Sequence, residues 1–300
     1  MSFSSPSVSR KRVSLATLVV TMILGLPLLF AACGGSEAST PTTTKPSVAA
    51  PTGLVTAGTL TVGSDTTYPP QEFVDPATGK AIGFDIDLIT AMAERMGLKA
   101  DIRKANFNTI IDDLSAKRYD VAISALTIND ERRKKADFVS YFRAGESLLV
   151  PKGNPLQLKE VKDLCGKAVG VQDGTVELDD LNAANQTTCK GNPVKLTILK
   201  DQTAVIQLLV NQRVVATYQD SPVTDYYIGQ HPGQFEVGGS VVNIVTEGIA
   251  VRKGDTAMLT AIQAAFDQVK KDGAYDSLFS KWKLSPLQKI ALADRRLQYA

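Results

Sequence analysis

The sequence predicts an α/β fold in two successive segments, each a mostly parallel sheet flanked by helices. Three observations carry this. From Thr59 onward, short β-branched runs alternate with amphipathic stretches. The alternation breaks at Pro151-Lys152-Gly153-Asn154-Pro155 and then resumes. Clusters of polar residues follow the predicted strands. Strand-helix-strand alternation at this spacing implies parallel pairing with helices on both faces of the sheet.

In the first segment, Thr59-Leu60-Thr61-Val62-Gly63 reads as a strand. Residues 84–96 follow as a helix, with Leu88, Ile89, Met92 and Met96 at helical spacing and Gly97 as a stop. Asp101-Ile102-Arg103 is a short strand, and 109–117 a helix with Ile110, Ile111 and Leu114 inward. Residues 120–124 form a buried strand, and a helix starts near Asn129, whose side chain suits the free amides of 130–132. In the second segment the strands are 168–172, 194–199 and 214–219, and the helices between them 175–184 and 203–210. A β-rich run, 241–251, leads into a helix at 255–271 carrying Leu259, Ile262, Phe266 and Val269 on one face and stopped by Gly273. A last helix holds Tyr275, Leu278, Phe279 and Trp282, and 285–300 suits one more surface helix.

The N-terminus reads as an export signal. Arg10, Lys11 and Arg12 precede an uncharged run, 13–32, that ends in Phe30-Ala31-Ala32-Cys33. That tetrapeptide resembles a bacterial lipobox, which implies lipid on Cys33. The run is also long enough for an uncleaved membrane anchor, although Gly25 and Pro27 interrupt it and only the lipobox explains Cys33. On either reading the remainder faces outward. Residues 34–53, rich in Ser, Thr, Pro, Ala and Gly, read as a flexible stalk, so the folded part starts near Gly58. With three basic and no acidic residues before Cys33, the +2 of the whole chain leaves about −1 for the rest, no footprint for nucleic acid. Cys165 and Cys189 remain, 24 positions apart; in an oxidising compartment they suit one disulfide, and two buried free thiols are the alternative.

Several chemistries are excluded by count. A single histidine, His231, leaves no His-rich metal site and disfavours a His-based triad; there is no P-loop, GxGxxG or GxSxG. Paired-carboxylate hydrolysis survives, because 31 acids are present. No cofactor is implied. The polar clusters at strand ends are Asp65-Thr66-Thr67-Tyr68, Ser124-Ala125-Leu126-Thr127, Gln172-Asp173-Gly174-Thr175 and Gln219-Asp220-Ser221. In open α/β sheets ligands bind beyond those ends, where helix N-termini favour anions.

Three stretches resemble one family: Val62-Gly63-Ser64-Asp65-Thr66-Thr67-Tyr68, Gly83-Phe84-Asp85-Ile86-Asp87-Leu88, and Ala125-Leu126-Thr127-Ile128-Asn129-Asp130-Glu131-Arg132. In order and spacing they resemble the type-2 periplasmic binding proteins, specifically the polar amino acid receptors of ABC importers, over about 58–284. The resemblance implies two lobes joined by two crossing hinge strands, a ligand trapped on closure, a monomer, and an ABC permease as partner. Lobe one would comprise 58–150 and 246–300, lobe two 151–245. Arg132 would clamp the ligand carboxylate through a bidentate fork that Lys cannot supply. Thr127 and the backbone of Ser124 and Ala125 would add donors, and Asp220 would take the ammonium. Tyr68 and Phe107 would sandwich the ligand side chain, ringed by Asp65, Gln172 and Gln219, which suits Gln, Asn, His or a cationic side chain. Thr175 and Val176, where the following helix opens, complete the set; Gln71 departs from the apolar or aromatic residue of many relatives. An enzyme on the same fold, a dehydratase with Glu177 or Asp173 as general acid, is one alternative. A sensory module is another.

Overall fold

The structure, a computed structural model, describes residues 46–290. The export segment, Cys33, the stalk as far as residue 45, and 291–300 lie outside the described residues. The first half runs β1 (Thr59–Ser64), three short strands β2 (Thr67–Tyr68), β3 (Glu72–Val74) and β4 (Ala81–Ile82), then α1 (Phe84–Arg95), β5 (Lys99–Lys104), α2 (Ile110–Ser115), β6 (Val121–Ala122) and α3 (Asp130–Lys135). Strand β7 (Ala136–Pro151) leads into β8 (Ala168–Gln172), α4 (Val176–Gln186), β9 (Lys195–Leu199), α5 (Gln202–Val210), β10 (Ala216–Asp220) and α6 (Ser221–Gln230). Strand β11 (Phe235–Arg252) returns to the first half, where α7 (Thr256–Lys271) and α8 (Ala274–Lys281) follow.

Eight strands form one sheet in the order β5-β1-β6-β11-β7-β10-β8-β9. Within each half the pairs expected from the alternation are parallel: β1 with β5 and β6, β8 with β9 and β10. The halves are joined by β7 and β11, which run antiparallel to each other through both. Residues 136–140 of β7 pair with 248–252 of β11, and 148–151 pair with 235–238; the register slips between Gly238 and Gly248, where the strands cross from one half to the other. Val150, expected in lobe one with a junction at Pro151, lies in the second half: Leu149 pairs with Thr217 of β10, and Leu148 and Val150 pack in that half's core with Val169, Val171 and Tyr218.

Each half has a core on either face of its sheet. Helices α1, α7 and α8 bury Phe84, Leu88, Ile89, Met92, Ile262, Phe266 and Phe279 against Leu60, Val62 and Tyr141. The opposite face carries α2, with Ile110, Ile111 and Leu114. In the second half, Leu178 and Leu181 of α4 cover one face, and Val205, Ile206, Val223 and Tyr227 from α5 and α6 the other. A Leu or Ile so buried contributes roughly 1.5–3 kcal/mol over its exposed state. Three helix starts are capped by side chains: Asn129 accepts from the Arg132 amide at 2.9 Å, Thr175 from Leu178 at 3.3 Å and Asp255 from Met258 at 3.1 Å.

Two expectations are corrected. The described end of the supposed stalk is seated on the first half: the amides of Ser47 and Val48 donate to the Arg95 carbonyl, Val48 and Leu54 pack on the core, and the Val55 amide donates to Asp120 at 2.8 Å. The apolar contacts of Val48 and Leu54 outweigh what a Ser/Thr/Pro composition suggests. At the other end, 286–288 make one 3-10 turn rather than the start of a surface helix, and Ile290 is buried, its amide on the Tyr275 hydroxyl at 3.2 Å. Cys165 and Cys189 form a disulfide with Cα atoms 5.1 Å apart, in the second half beside the 161–164 turn and α4.

Candidate ligand-binding site

The C-terminal ends of β1, β6, β8 and β10 face one another across the join, and the polar clusters that follow them meet there. Asp65, one residue past β1, is 1% exposed and accepts from Gln172 Nε2 at 2.6 Å, across the halves, and from Thr67 Oγ1 at 3.0 Å. Tyr68 reaches over in the same way: its hydroxyl donates to Asp220 Oδ2 at 2.8 Å and accepts from the Asp220 amide at 3.1 Å. Arg132, in the first turn of α3, donates from Nη1 to the Thr127 carbonyl at 2.8 Å and from Nη2 to the Gly174 carbonyl of the second half at 3.1 Å. Asn108 adds a further bridge to Asp173 at 2.8 Å, and the Gln202 amide another to Thr67 Oγ1 at 3.1 Å. Gly174 is needed where it stands: its φ of +79° is a glycine conformation, and a Cβ would come within 2.8 Å of the Asn108 Cα.

Burial sets the electrostatics. Asp65 and Asp220 are each pushed up to about 6, first by burial; hydrogen bonds from Gln172 and Thr67 oppose this at Asp65, and Tyr68 and the Arg132 charge oppose it at Asp220. Glu177 is driven well above the carboxylate range by burial, then by repulsion from Asp220 and Glu146. Burial pulls Arg132 down, while Glu177 and Asp220 hold it up. One guanidinium therefore stands among several carboxylates. Beside it lies a cavity of about 130 Å³ lined by Phe107, Asn108, Leu126, Arg132 and Gly174. A wider groove of about 500 Å³ opens between the halves at Thr66 and Thr67, with Lys104, Asp201, Tyr226 and His231 on its walls.

The remaining residues of the expected set divide. Arg132, Thr127, Phe107, Asp220, Tyr68, Asp65, Gln172 and Thr175 all lie at the join, yet several are already engaged. The Arg132 guanidinium covers the Phe107 ring at 5.2 Å, so that face is occupied by the arginine rather than opposed to Tyr68. The Ala125 amide, expected to meet a carboxylate, donates to Asp85 Oδ2 at 3.1 Å, because a left-handed φ of +47° turns it into the first half. Ser124 Oγ accepts from the Asp65 amide at 3.0 Å and donates to Glu72 at 2.9 Å. Gln219 turns away from the join: Nε2 donates to Thr224 Oγ1 at 2.6 Å and to the Ser147 carbonyl, and Oε1 accepts from Gln202. Thr175 caps α4 and donates to the Gln172 carbonyl at 2.9 Å, and Val176, partly exposed, opens that helix.

A buried acid network beneath these residues escaped sequence reasoning. Glu247 of β11 accepts from Gln71 Nε2 at 2.5 Å, Asp85 accepts from the Tyr141 hydroxyl at 2.6 Å, and Glu72 sits against Asp85. Burial raises all three carboxyls, Asp85 to about 6. Gln71 was the one available signal: an amide standing where an apolar side chain was expected.

Two α/β halves on two shared strands, meeting through polar residues at strand ends, define a two-lobed solute-binding protein. Residues 60–285 match the model for bacterial extracellular solute-binding proteins, family 3, and the chain belongs to that family. It is 34% identical to the L-cystine-binding protein TcyJ of Escherichia coli (strain K12), over 75% of this chain and 82% of that one. It is 32% identical to the lysine/arginine/ornithine-binding periplasmic protein of the same strain, over 75% and 87%. Among solved structures it resembles an ancestral arginine-binding protein bound to arginine, with a TM-score of 0.70 and 37% identity over 75% of this chain and 98% of that one.

Proposed function

We propose that this protein captures a polar amino acid between its halves, outside the cytoplasmic membrane, and delivers it to an ABC permease. It acts as a monomer held to the outer face of the membrane by lipid on Cys33. The observation that carries the reading is reciprocal bonding across the join. Arg132 of the first half is held by the Gly174 carbonyl of the second, and Asp220 of the second by the Tyr68 hydroxyl of the first. Both partners are neutral groups on a charged side chain. A zwitterion replaces them with full charges, its carboxylate on the Arg132 fork and its ammonium on Asp220, and so ties the halves together. Asp65 and Gln172 then face the ligand side chain with a carboxylate and the unpartnered Gln172 Oε1.

The relatives' names, which are those of cystine- and basic-amino-acid-binding proteins, support capture rather than conversion. The test is a thermal-shift screen of the folded domain against the twenty amino acids and cystine, with recovery of the ligand afterwards. At 100 times its dissociation constant a true ligand adds about 2.7 kcal/mol of stability. Stabilisation by a polar amino acid recovered intact is expected. No stabilising amino acid, or a ligand recovered as product, overturns the reading.

A further inference from the structure

One buried acid at the join carries an oxygen that the fold leaves without a partner. Glu177, second residue of α4, is 2% exposed, and its Oε1 has no hydrogen-bond partner among the described residues. An acid in the first turn of a helix is ordinary at a surface, where Asp179 of the same helix lies. Buried with a bare oxygen, its ionised form is costly unless something cationic meets it.

The groups that face Glu177 come from every side of the join. They are Arg132 of α3, Asp220 and Tyr218 of β10, Tyr68 of β2 and Glu146 of β7; Asp179 and Asp180 of its own helix act on Arg132 and Glu146. Arg132 is the cation among them, and its hydrogen bonds go to two carbonyls rather than to Glu177. Glu146 accepts from Tyr218 and Asn243, which leaves Glu177, Asp220 and, at the far end of the join, Asp65, 1% exposed. A ligand carboxylate on Arg132 leaves these three acids facing whatever else the ligand carries. One ammonium offsets one of them.

We propose that Glu177 is a ligand-binding residue that shares the ligand's ammonium with Asp220, and that the three buried carboxylates make the ligand a basic amino acid. This rests on the amino-acid reading of the join. Glu177 is held protonated by burial and by its acidic neighbours. An arriving ammonium favours the ionised form, so the carboxyl O–H breaks, its proton passes to the solvent, and the freed carboxylate accepts from the ammonium. Capture therefore releases a proton, and affinity climbs as pH rises toward the raised range of the Glu177 carboxyl.

The test uses arginine, and glutamine as its neutral counterpart, titrated calorimetrically into the wild type and Glu177→Gln at several pH values. Two buffers of different ionisation enthalpy count the protons released. Expected are tighter binding of arginine than of glutamine, proton release in the wild type, and in Glu177→Gln a tenfold or greater loss for arginine with a flattened pH profile. Glu177→Asp, which retains the charge, keeps the pH dependence at reduced affinity and serves if the glutamine variant fails to fold. Equal arginine affinity, pH profile and proton count in wild type and Glu177→Gln overturn the assignment of Glu177, and glutamine binding as tightly as arginine overturns the ligand class; in both cases capture of an amino acid still stands. A wild type that binds no amino acid overturns both readings.

Discussion

Arg132→Ala is the perturbation that separates a ligand clamp from a structural arginine. In the protein the guanidinium makes two charge-assisted hydrogen bonds, to Thr127 and Gly174, and covers the Phe107 ring. Losing these costs the fold about 1–3 kcal/mol, because the carbonyls left behind lie next to groove and cavity and water replaces the donor. For a domain of this size that lowers Tm by a few degrees. The cost to binding is larger. A ligand carboxylate left unpaired at the join loses on the order of 2–5 kcal/mol, about 30-fold to several thousand-fold in Kd. Calorimetric titration gives the second quantity and thermal unfolding without ligand the first. Arg132→Lys is expected to restore only part of the affinity, since one ammonium cannot reproduce two parallel bonds. Asp220→Ala is expected to weaken binding to a similar degree through the ligand ammonium. Wild-type affinity in both alanine variants refutes the placement of the ligand, and loss of the fold instead makes these residues structural.

Three further outcomes are expected. Cys33→Ser releases the protein from lipid or leaves an unprocessed precursor, seen as altered migration and loss from the membrane fraction; lipidation and processing as in the wild type refute the anchor. Thiol counting on the denatured, unreduced domain finds neither Cys165 nor Cys189 free, and reducing that 24-residue loop lowers stability by about 3 kcal/mol on the chain-entropy account; two reactive thiols contradict it. Asp65, Asp85 and Asp220 are raised from 3.8 to about 6, so the folded state binds more protons than the unfolded one between those values. Their contribution therefore falls as pH rises from about 4 to 7, on the order of 3 kcal/mol for Asp220 alone, and urea unfolding of the ligand-free protein that shows no such decline contradicts the burial argument.

Much of the scaffold was legible because its signals are local. The cap at Asn129 and the helical spacing of Leu88, Ile89 and Met92 each sit within one element. Strand β7 was not legible: Arg143, Gly145 and Glu146 interrupt its apolar run where it passes between halves, and its partner β11 lies about a hundred residues on. The two- and three-residue strands β2 to β4 are too short for any periodicity to register. At the site, Asp220 could be read because it ends a strand, β10, and Arg132 because it stands in the first helical turn after the polar cluster that follows β6. What the sequence could not convey is how the amides and hydroxyls are spent. Ala125 and Gln219 look like ligand donors in the chain, but Asp85 and Thr224 take them in the fold. The acids Glu72, Asp85 and Glu247 come from three separate elements, and Asp85 in particular passes for an ordinary acid at the start of α1.

The most direct measurement is a crystal structure with the amino acid that the screen selects. One zwitterion is expected between the halves, its carboxylate on the Arg132 guanidinium in place of the Gly174 carbonyl and its ammonium on Asp220 in place of the Tyr68 hydroxyl. A ligand seated on one half only, or away from both residues with the Arg132–Gly174 and Tyr68–Asp220 bonds intact, contradicts that expectation.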